Sequence, residues 1–409
     1  MVKLSKHKLG DLIEVTRGAS LSGAYFATQG KYIRLTCGNF DYQNNCFKEN
    51  QSKDNIYYVG DFKPEFLLNE GDIITPLTEQ AIGLLGSTAI IPKSGKYIQS
   101  QDVAKVVCKE GKIDRNYAFY LISSDMVKKQ LSAAAQQTKI RHTSPDKIKD
   151  CVVWVPEYDE QVKIGKVLTA LDRKIALNRA INHNLEAMAK QLYDYWFVQF
   201  DFPNAEGKPY KSSGGEMMWN EKLQIEIPSG WETALVGELL ASYPNTRRIT
   251  TKEYLSDGAF PIFDQVQVKY VAGYTNEKDS VLNQYPAILF GDHSTCVKFI
   301  NMPFARGADG TQILYSKEDT ITPYYFYQAI KALKIPNPGY SRHFKYLKEM
   351  RIIKPNGKVV TTYESLAKQM YSLWTDNILA ILALTKQRDE LLPLLMNGQA
   401  SVNYDLSAD

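Results

Sequence analysis

The residue types best suited to catalysis stand side by side in Gly291-Asp292-His293-Ser294. A serine next to a histidine could act as a nucleophile beside a base, but adjacent residues of a strand point to opposite faces. We therefore interpret this segment as a loop. The sequence contains no GxxxxGK[ST] loop, no GxSxG or HExxH motif and no CxxC pair. It therefore predicts no P-loop ATPase and no catalytic constellation.

A second segment, Pro336-Asn337-Pro338-Gly339-Tyr340, is similar to the Asn-Pro-Pro-Tyr motif of amino-methyltransferases. It departs from that motif at Gly339, and no glycine-rich loop for S-adenosylmethionine accompanies it. We interpret the segment as a turn.

The composition is that of an ordinary soluble protein, with 44% hydrophobic and 23% charged residues. No run of 18 apolar residues could span a membrane, and the first residues lack the apolar core of a signal peptide. Five cysteines and five histidines are scattered without metal-ligand spacing. We therefore expect a cytoplasmic protein with reduced thiols and no bound metal.

Positive charge is concentrated in the two segments that lack helical periodicity. Residues 1–155 carry 21 basic and 16 acidic groups, and residues 226–355 carry 15 basic and 13 acidic groups. Residues 156–225 and 356–409 are slightly acidic. Basic segments can face nucleic-acid phosphates, but ordinary fluctuation would also explain an excess of this size.

A long amphipathic helix is predicted from Pro156 to Phe200, because apolar residues recur there at heptad spacing. The main series is Ile164, Leu171, Asn178, Leu185 and Leu192. The series at an offset of three is Val167, Ile181, Met188 and Tyr195, and Leu168 and Ile175 stand at an offset of four. Roughly 35 residues at 1.5 Å each give a rod of about 50 Å. Such a rod needs a partner helix to bury its apolar stripe.

A second long helix is predicted from Thr361 to Met396, ending at Asn397-Gly398, a typical C-terminal cap. Its predicted apolar stripe consists of Leu366, Met370, Leu373, Ile378, Ile381, Leu384, Leu391 and Leu395. Two amphipathic helices of similar length can bury each other's stripes, so we predict that they form an antiparallel pair. The alternative is that each helix packs only on its neighbouring globular segment.

Residues 231–355 repeat the plan of residues 1–155. LNEGDIIT from Leu68 corresponds to LNQYPAILF from Leu282, and FYLI from Phe119 corresponds to FYQAI from Phe326. Arg141-His142 corresponds to Arg342-His343, and a strand that ends in proline follows each pair. Each copy combines short β-type runs with a helical segment.

The predicted fold class is therefore α+β: two similar mixed α/β domains separated by two long antiparallel coiled-coil-like helices. We expect the first domain at 1–155, the first helix at 156–200 and a linker rich in Pro, Gly and Ser at 201–230. The second domain is expected at 231–355, the second helix at 356–402 and a tail at 403–409.

These segments resemble one known family over essentially the whole chain. The central region of the specificity subunit of type I restriction–modification enzymes is similar to PEYDEQVKIGKVLTALDRKIALNRAINHNLEAMAKQLYDYWFVQFDFPNAEGKPYKSSGGEMMWN. The end of that subunit's distal repeat is similar to QRDELLPLLMNGQASV. Segments of its target recognition domains resemble LLNEGDIITPL and KIRHTSPDKI, although only in outline.

The resemblance implies a non-catalytic DNA-binding subunit of a phage-defence system. Each α/β domain would be a target recognition domain for one half of a bipartite, asymmetric DNA site, and the helices would fix the spacer between the halves. Two methyltransferase (modification) subunits would bring S-adenosylmethionine and adenine methylation. Restriction subunits would bring ATP and Mg²⁺ for translocation and cleavage. The chain itself would bind none of these cofactors.

Base recognition needs donors and acceptors on loops that reach the major groove, while Lys and Arg mostly hold phosphates. The candidates in the first domain are Arg17, Tyr25, Arg34, Asn39, Thr78, Gln80, Lys139 and Arg141. The candidates in the second domain are Arg247, Arg248, His293, Ser294, Lys298, Arg306, Tyr340 and Arg342. Any one of them could equally be a solvated surface residue. Arg141 and Arg342 are preferred because their Arg-His pairs precede the strand that enters a helix.

The residues expected on the spacer helices or their partner surface are Ile164, Leu171, Asn178, Leu185, Leu192, Trp196, Leu373, Ile378, Ile381, Leu391 and Leu395. Asn178 is either a tolerated polar residue or a contact that sets the register of the pair. The aromatic residues around Trp196 either pack against the second domain or dock a modification subunit.

Two other functions remain open at this point. The chain could be a DNA methyltransferase in its own right, which binding of S-adenosylmethionine to the isolated chain would reveal. It could also be a coiled-coil assembly protein without DNA binding, which an electrophoretic shift with duplex DNA would exclude.

Overall fold

The computed structural model describes residues 2–50, 54–79, 81, 83–134, 141–243, 246–267, 269–336 and 342–403. The chain divides into two compact units. Unit 1 consists of Met1–Ala176 with Leu382–Asp409, and unit 2 of Leu177–Ile381. Each unit therefore combines one α/β domain with parts of both long helices.

Domain 1, in unit 1, is built from short strands and short helices. Its strands are β1 (Ser5–Lys8), β2 (Ile13–Arg17), β3 (Phe26–Ala27), β4 (Tyr32–Arg34), β5 (Phe40–Asp41), β6 (Cys46–Phe47), β7 (Tyr57–Tyr58), β8 (Ile73–Pro76), β9 (Thr78–Glu79), β10 (Ala89–Ile90), β11 (Tyr97–Ile98), β12 (Val103–Cys108), β13 (Arg141–His142) and β14 (Val152–Val155). Its helices are α1 (Leu9–Leu12), α2 (Arg115–Ile122), α3 (Asp125–Ala134) and α4 (Pro145–Lys149).

Two four-stranded sheets organise domain 1. One has the antiparallel order β10-β8-β12-β2, and the other has the order β11-β4-β7-β3, in which β4 and β11 are parallel. Strand β1 pairs with β14. The apolar faces of α2 and α4 close the core: Tyr117, Leu121 and Ile148 are fully buried there.

Domain 2, in unit 2, has the following elements. Its strands are β17 (Glu232–Leu235), β18 (Phe260–Phe263), β19 (Gly273–Thr275), β20 (Val281–Leu282), β21 (Ala287–Gly291), β22 (Val297–Ile300), β23 (Phe304–Arg306), β24 (Thr311–Leu314) and β25 (Arg351–Lys354), preceded by the hairpin β15 (Met217–Asn220) and β16 (Ile225–Pro228). Its helices are α6 (Val236–Leu239), α7 (Pro323–Ala332) and α8 (Phe344–Glu349).

The topology of domain 2 repeats that of domain 1. Its sheets have the orders β22-β21-β24 and β19-β18-β23-β20, in which β18 and β23 are parallel, and β17 pairs with β25. These pairings match β10-β8-β12, the parallel pair β4 and β11, and the pair β1 and β14. The predicted internal repeat is confirmed at the level of strand order.

Residues 201–230, expected to be a linker, are instead packed into unit 2. Strands β15 and β16 form an antiparallel hairpin, and Phe202 stacks between Tyr210 and Trp231 with ring centroids 4.6 Å and 4.9 Å away. Ile227 is fully buried in the same core. The many Pro, Gly and Ser residues form tight turns here. The segment folds because aromatic side chains between the turns supply enough apolar surface.

The two long helices are α5 (Tyr158–Tyr193), which continues as a π-helical turn at Asp194–Val198, and α9 (Gly357–Met396). In unit 2, Asn182 contacts Asn377 and Trp196 contacts Tyr363. Higher numbers on α5 therefore meet lower numbers on α9, so the helices are antiparallel. In unit 1, an ion pair between Asp172 and Arg388 joins the same two helices. The predicted antiparallel pairing is confirmed in unit 2, and the ion pair shows that the same helices contact each other in unit 1.

The buried face of α5 differs from the predicted one in phase. The offset-of-four series Leu168, Ile175, Asn182, Ala189 and Trp196 is at most 6% exposed. The offset-of-three residues Met188 and Tyr195 are 54% and 39% exposed. In the main series, Ile164 and Asn178 are buried, whereas Leu171, Leu185 and Leu192 are half-buried. The buried face of α5 therefore lies between the main series and the offset-of-four series.

The stripe of α9 is also displaced from the predicted one in its first half. Leu366 and Leu373 are 44% and 49% exposed, so Leu373 is not a seam residue. The buried residues are Val360, Tyr363, Ala367, Tyr371 and Trp374. Aromatic rings bury more apolar area than leucine, which favours them at the interior positions. Ile378, Ile381 and Leu391 are half-buried and Leu395 is buried, as expected of interface positions.

In the part of the chain that the structure describes, no helix is long and apolar enough to cross a membrane. All five cysteines lie within the described residues, and none of them forms a disulfide bond there. Burial raises the pKa of Cys108 and of Cys151 to about 11, so both are protonated at neutral pH.

Candidate nucleic-acid interface and spacer helices

A polar cleft of about 770 Å³ opens on domain 2. The residues that line it come from five separate stretches of the chain: Arg248, Gln265, Asp292, His293, Asp309, Gly310, Gln312 and Arg342. The cleft therefore brings together three of the candidates singled out from the sequence, namely Arg248, His293 and Arg342. Gln265, Asp309 and Gln312 had no signal in the sequence, because only the fold places them beside the arginines.

Gln265 holds two loops of this cleft together. Its Oε1 accepts a hydrogen bond from the backbone N–H of His293 (2.9 Å), and its Nε2 donates to the backbone carbonyl of Asp309 (2.9 Å). Both ends of the amide are thereby used inside the protein. Gln265 is therefore a support for the two loops.

The loop after β21 turns too tightly for a larger residue at its start. The backbone N–H of Gly291 donates to the carbonyl of Cys296 (2.9 Å), and a Cβ on Gly291 would lie 2.3 Å from the Oγ of Ser294. That Oγ donates to the backbone carbonyl of Gln265 (2.8 Å). Ser294 therefore shapes the loop, so the sequence interpretation of this segment as loop structure agrees with its hydrogen bonds.

The cationic groups of the cleft are available to a ligand. Arg248 and Arg342 are exposed and form no hydrogen bond or ion pair with the described residues. Their neighbour Arg247, by contrast, pairs with Glu253 and Glu277. A hydrogen bond from Arg247 to Glu277 raises its pKa. Two free guanidinium groups beside a half-buried histidine form an arrangement that can hold phosphates or guanine edges.

Two other candidates in domain 2 have structural roles, so we remove them from the interface. Lys298 is 8% exposed, and its Nζ donates to the carbonyls of Lys269 (2.9 Å) and Tyr270 (3.3 Å). Arg306 is 3% exposed and donates to the hydroxyl of Tyr243 (2.6 Å). Burial lowers the pKa of both groups. Sequence alone could not distinguish Lys298 and Arg306 from exposed cations, because both residues belong to short strands.

Three candidates of domain 1 are likewise turned inward. Arg34 stacks on the Phe26 ring (3.8 Å) and donates to the carbonyl of Asn55 (3.2 Å), and burial lowers its pKa. Asn39 accepts from the backbone N–H of Thr36 (2.9 Å) and is 1% exposed. Thr78 donates to Asp102 (3.2 Å) and is 7% exposed. These polar groups satisfy the interior of the domain and do not face solvent.

The remaining candidates of domain 1 are exposed in part. Arg17 is exposed at the end of β2, and Tyr25 is 50% exposed beside the Tyr58 ring. Arg141 forms an ion pair with Glu79 (3.5 Å) and donates to Ser132 (3.0 Å). Three further candidates, Gln80, Lys139 and Tyr340, lie outside the described residues. Most of the segment from Pro336 to Tyr340 lies outside them as well.

The two Arg-His pairs do not occupy equivalent positions. His142 is exposed in β13, opposite Thr78, and Ser144 caps the helix that follows. His343 is 1% exposed and itself directly precedes α8. The sequence equivalence of the pairs is therefore wrong, because α8 begins immediately after its histidine and α4 begins three residues after His142. Arg342 nevertheless lines the cleft of domain 2. Its candidacy rests on that position and not on an equivalence with Arg141.

Sequence analysis also missed an aromatic cleft on domain 1. It measures about 630 Å³ and is lined by Lys31, Tyr32, Tyr58, Val59, Gly60, Asp61, Phe62, Pro64 and Leu67. Tyr32 and Tyr58 contact the Phe62 ring edge-to-face at 5.1 Å and 6.5 Å. The residues come from a stretch of strands and turns in which the sequence shows only scattered aromatics.

A contact across the helix pair, one of the two alternatives for Asn178, is made instead by Asn182. The Nδ2 of Asn182 donates to the carbonyl of Trp374 (3.1 Å), and its Oδ1 accepts from the side chain of Asn377 (3.0 Å). Asn178 is 9% exposed, and we find no side-chain hydrogen bond for it within the described residues. Both asparagines are buried, but only Asn182 crosses to α9.

We expect Asn182→Ala to lower the free energy of unfolding by about 1–3 kcal/mol, because it removes two hydrogen bonds across the helix pair. Asn178→Ala, one helical turn away, is the matched control and should cost clearly less. Thermal or denaturant unfolding of both variants measures the difference. Equal losses would show that Asn182 contributes only its packing.

The aromatic residues at the end of α5 pack inside unit 2. Trp196 and Phe197 are 4% and 2% exposed. The Trp196 ring lies 5.8 Å from Tyr363, and the Phe197 ring lies 4.7 Å from Tyr325. Of the two alternatives for Trp196, packing against the second domain and its helix is the one realised. Tyr195 points outward and remains accessible.

Known proteins resemble this chain in sequence. Residues 1–187 match the family described as type I restriction modification DNA specificity domain. The type I restriction enzyme MjaIX specificity subunit of Methanocaldococcus jannaschii is 24% identical over 327 residues, which cover 74% of this chain and 73% of the relative. The type I restriction enzyme HindI specificity subunit of Haemophilus influenzae is 41% identical over 85 residues, 21% of this chain and 18% of the relative.

A solved structure shares the fold. The S subunit of a type I restriction–modification system from M. genitalium superposes with a TM-score of 0.61 at 15% identity, covering 97% of this chain and 96% of that chain. The solved structure therefore shows the fold that this chain shares. In sequence, residues 1–187 match the type I restriction modification DNA specificity domain, and 74% of the chain is similar to a type I specificity subunit.

Proposed function

We propose that this chain recognises a bipartite, asymmetric DNA site, with one half-site bound by each α/β domain. The repeated topology carries this proposal, because it supplies two recognition surfaces of the same design. The loops at corresponding places differ in chemistry. The backbone N–H of Leu77 donates to the carbonyl of Asp102, and that of Asp292 donates to the carbonyl of Gly310. Leu77 and Asp292 therefore correspond to each other.

The residues that follow these two positions are different. Thr78 and Glu79 come next in domain 1, whereas His293 and Ser294 come next in domain 2. Thr78 and Glu79 are buried, while His293 lines an open cleft. Two surfaces with one fold and unlike side chains favour two unlike half-sites, which is an asymmetric target.

In domain 2, the cleft around Arg248 and Arg342 is the proposed recognition site. Free guanidinium groups bind phosphate or the O6 and N7 of guanine, and the exposed Asp309 can accept from the amino group of cytosine. In domain 1, Arg17 and Tyr25 remain as candidates, since both are exposed. Arg34, Asn39, Thr78, Lys298 and Arg306 take no part in this proposal.

The helix pair serves as the spacer and as the docking surface for partner subunits. Several large apolar residues of the helices in unit 2 are exposed: Leu177, Met188, Leu366, Leu373 and Leu379. Apolar residues left on the outside of a helix pair are typical of a surface that another subunit covers. We propose that two modification subunits dock on the spacer helices and that restriction subunits join them.

On this proposal, the cofactors belong to the partners. S-adenosylmethionine binds the modification subunits, and ATP with Mg²⁺ binds the restriction subunits, in the cytoplasm. The chain itself is a non-catalytic recognition subunit, in keeping with the specificity subunits it is related to.

Mapping N6-methyladenine in DNA from cells that produce this chain with its modification subunits tests the proposal. We expect one motif made of two different half-sites at a fixed separation, and no such motif when the chain is absent. A continuous motif would contradict the proposal. Methylation by the isolated chain would favour the methyltransferase alternative, and a complex that never shifts duplex DNA would favour an assembly protein.

A further inference from the structure

Two carboxylates on α5 each join an α/β domain to both long helices. In unit 1, Oδ2 of Asp172 accepts from the hydroxyl of Tyr120 on α2 (2.6 Å), and its Oδ1 accepts from Arg388 on α9 (2.9 Å). Arg388 is 8% exposed. One side chain of α5 is therefore bonded both to the domain and to the opposite helix.

Glu186 has the same arrangement in unit 2. Its Oε1 accepts from the indole N–H of Trp374 on α9 (3.1 Å), and its Oε2 forms an ion pair with Lys331 on α7 (3.6 Å). Helix α7 takes the place in domain 2 that α2 takes in domain 1. Trp374 is 7% exposed. In both units a carboxylate of α5 thus binds one polar or charged side chain of the domain helix and one of α9.

Directional contacts of this kind fix a geometry that apolar contacts leave open. The heptad seam could slide by one helical turn, about 5.4 Å, and still bury apolar surface. One base-pair step is about 3.4 Å. A slide of one turn would therefore exceed the difference between neighbouring spacer lengths. A carboxylate that must accept from two elements at once permits one arrangement, since losing a donor leaves a partly buried charge without its partner.

We propose that Asp172 and Glu186 are positioning residues that set which spacer length the protein accepts. Each fixes its own recognition domain on the helix pair. The proposal rests on the proposed function, because it requires two half-sites at a defined separation. On this proposal, the accepted spacer length depends on Asp172, Glu186 and the four side chains that bind them, and not on helix length alone.

The test uses the full complex in cells, with a plasmid series that carries both half-sites at the preferred spacer and at spacers one base pair shorter and longer. Sequencing measures the methylated fraction at each spacer. We expect Asp172→Ala, Tyr120→Phe and Glu186→Ala to raise methylation at the neighbouring spacers relative to the preferred one by about tenfold, the scale of a lost charge-assisted hydrogen bond. Tyr120→Phe removes only a hydroxyl and keeps the ring that packs in the core.

Asp376→Ala is the matched control, because Asp376 is an exposed acid on α9 without a hydrogen bond or ion pair among the described residues. It should keep the wild-type spacer preference. If all three variants keep that preference while their melting temperatures fall, the acids only stabilise the fold and the proposal is wrong. If the wild-type complex methylates no bipartite site, the proposed function is wrong. This proposal, which rests on it, is then wrong as well.

Discussion

Replacing Trp196 with alanine should lower the free energy of unfolding by about 3–5 kcal/mol, the usual cost of deleting a large buried aromatic side chain. Trp196 is 4% exposed and packs against Phe197 and Tyr363, with ring centroids 6.3 Å and 5.8 Å away. Helix α5, helix α9 and domain 2 meet at this cluster. The cavity would therefore weaken three elements at once.

Denaturant unfolding of Trp196→Ala measures this loss, and Tyr195→Ala is the matched control. Tyr195 is the preceding aromatic residue but is 39% exposed, so its replacement should cost much less. A pull-down with the modification subunit separates folding from docking. If Trp196→Ala keeps its stability and loses only the partner, the ring docks a subunit.

Replacing Arg342 with alanine should weaken DNA binding by about 1–3 kcal/mol if the guanidinium makes a bidentate contact with a base. Arg342 is exposed in the cleft of domain 2 and is not held by any described side chain. The loss should be confined to sequences that contain the cognate half-site, because a base contact discriminates and a phosphate contact does not.

Binding assays at fixed salt, with cognate and unrelated duplexes, measure this effect. Arg247→Ala is the matched control, since Arg247 is already paired with Glu253 and Glu277 and has less to offer a ligand. A uniform loss on both duplexes, with a smaller salt slope, would make Arg342 a phosphate contact. Unchanged binding would remove Arg342 from the interface.

The long helices and the internal repeat could be predicted from the sequence because both depend on patterns many residues long. Heptad spacing from Ile164 to Leu192 is sufficient to predict α5, and the order of short motifs is sufficient to predict a second domain. The phase of the helix seams could not be predicted. It is decided by which side chains fill the interior best, and Tyr371 and Trp374 displace Leu373 there.

The candidate interface was predictable in composition but not in geometry. Arg248 and Arg342 are distant in sequence, and only the fold of domain 2 brings them to one cleft. Arg34 and Arg306 look like equally good candidates in the sequence, yet each is fixed by an aromatic ring and a backbone carbonyl. Single-residue burial depends on contacts between distant strands, which no local pattern encodes.

The support of the domain 2 cleft by Gln265 has a practical consequence for retargeting. The loops are held by backbone groups of His293 and Asp309 and by the tight turn at Gly291. Their shape therefore does not depend on which side chains stand at positions 248, 312 and 342. New target specificities can be sought by randomising these three positions while Gln265 and Gly291 are kept, so that a library varies chemistry on a constant backbone.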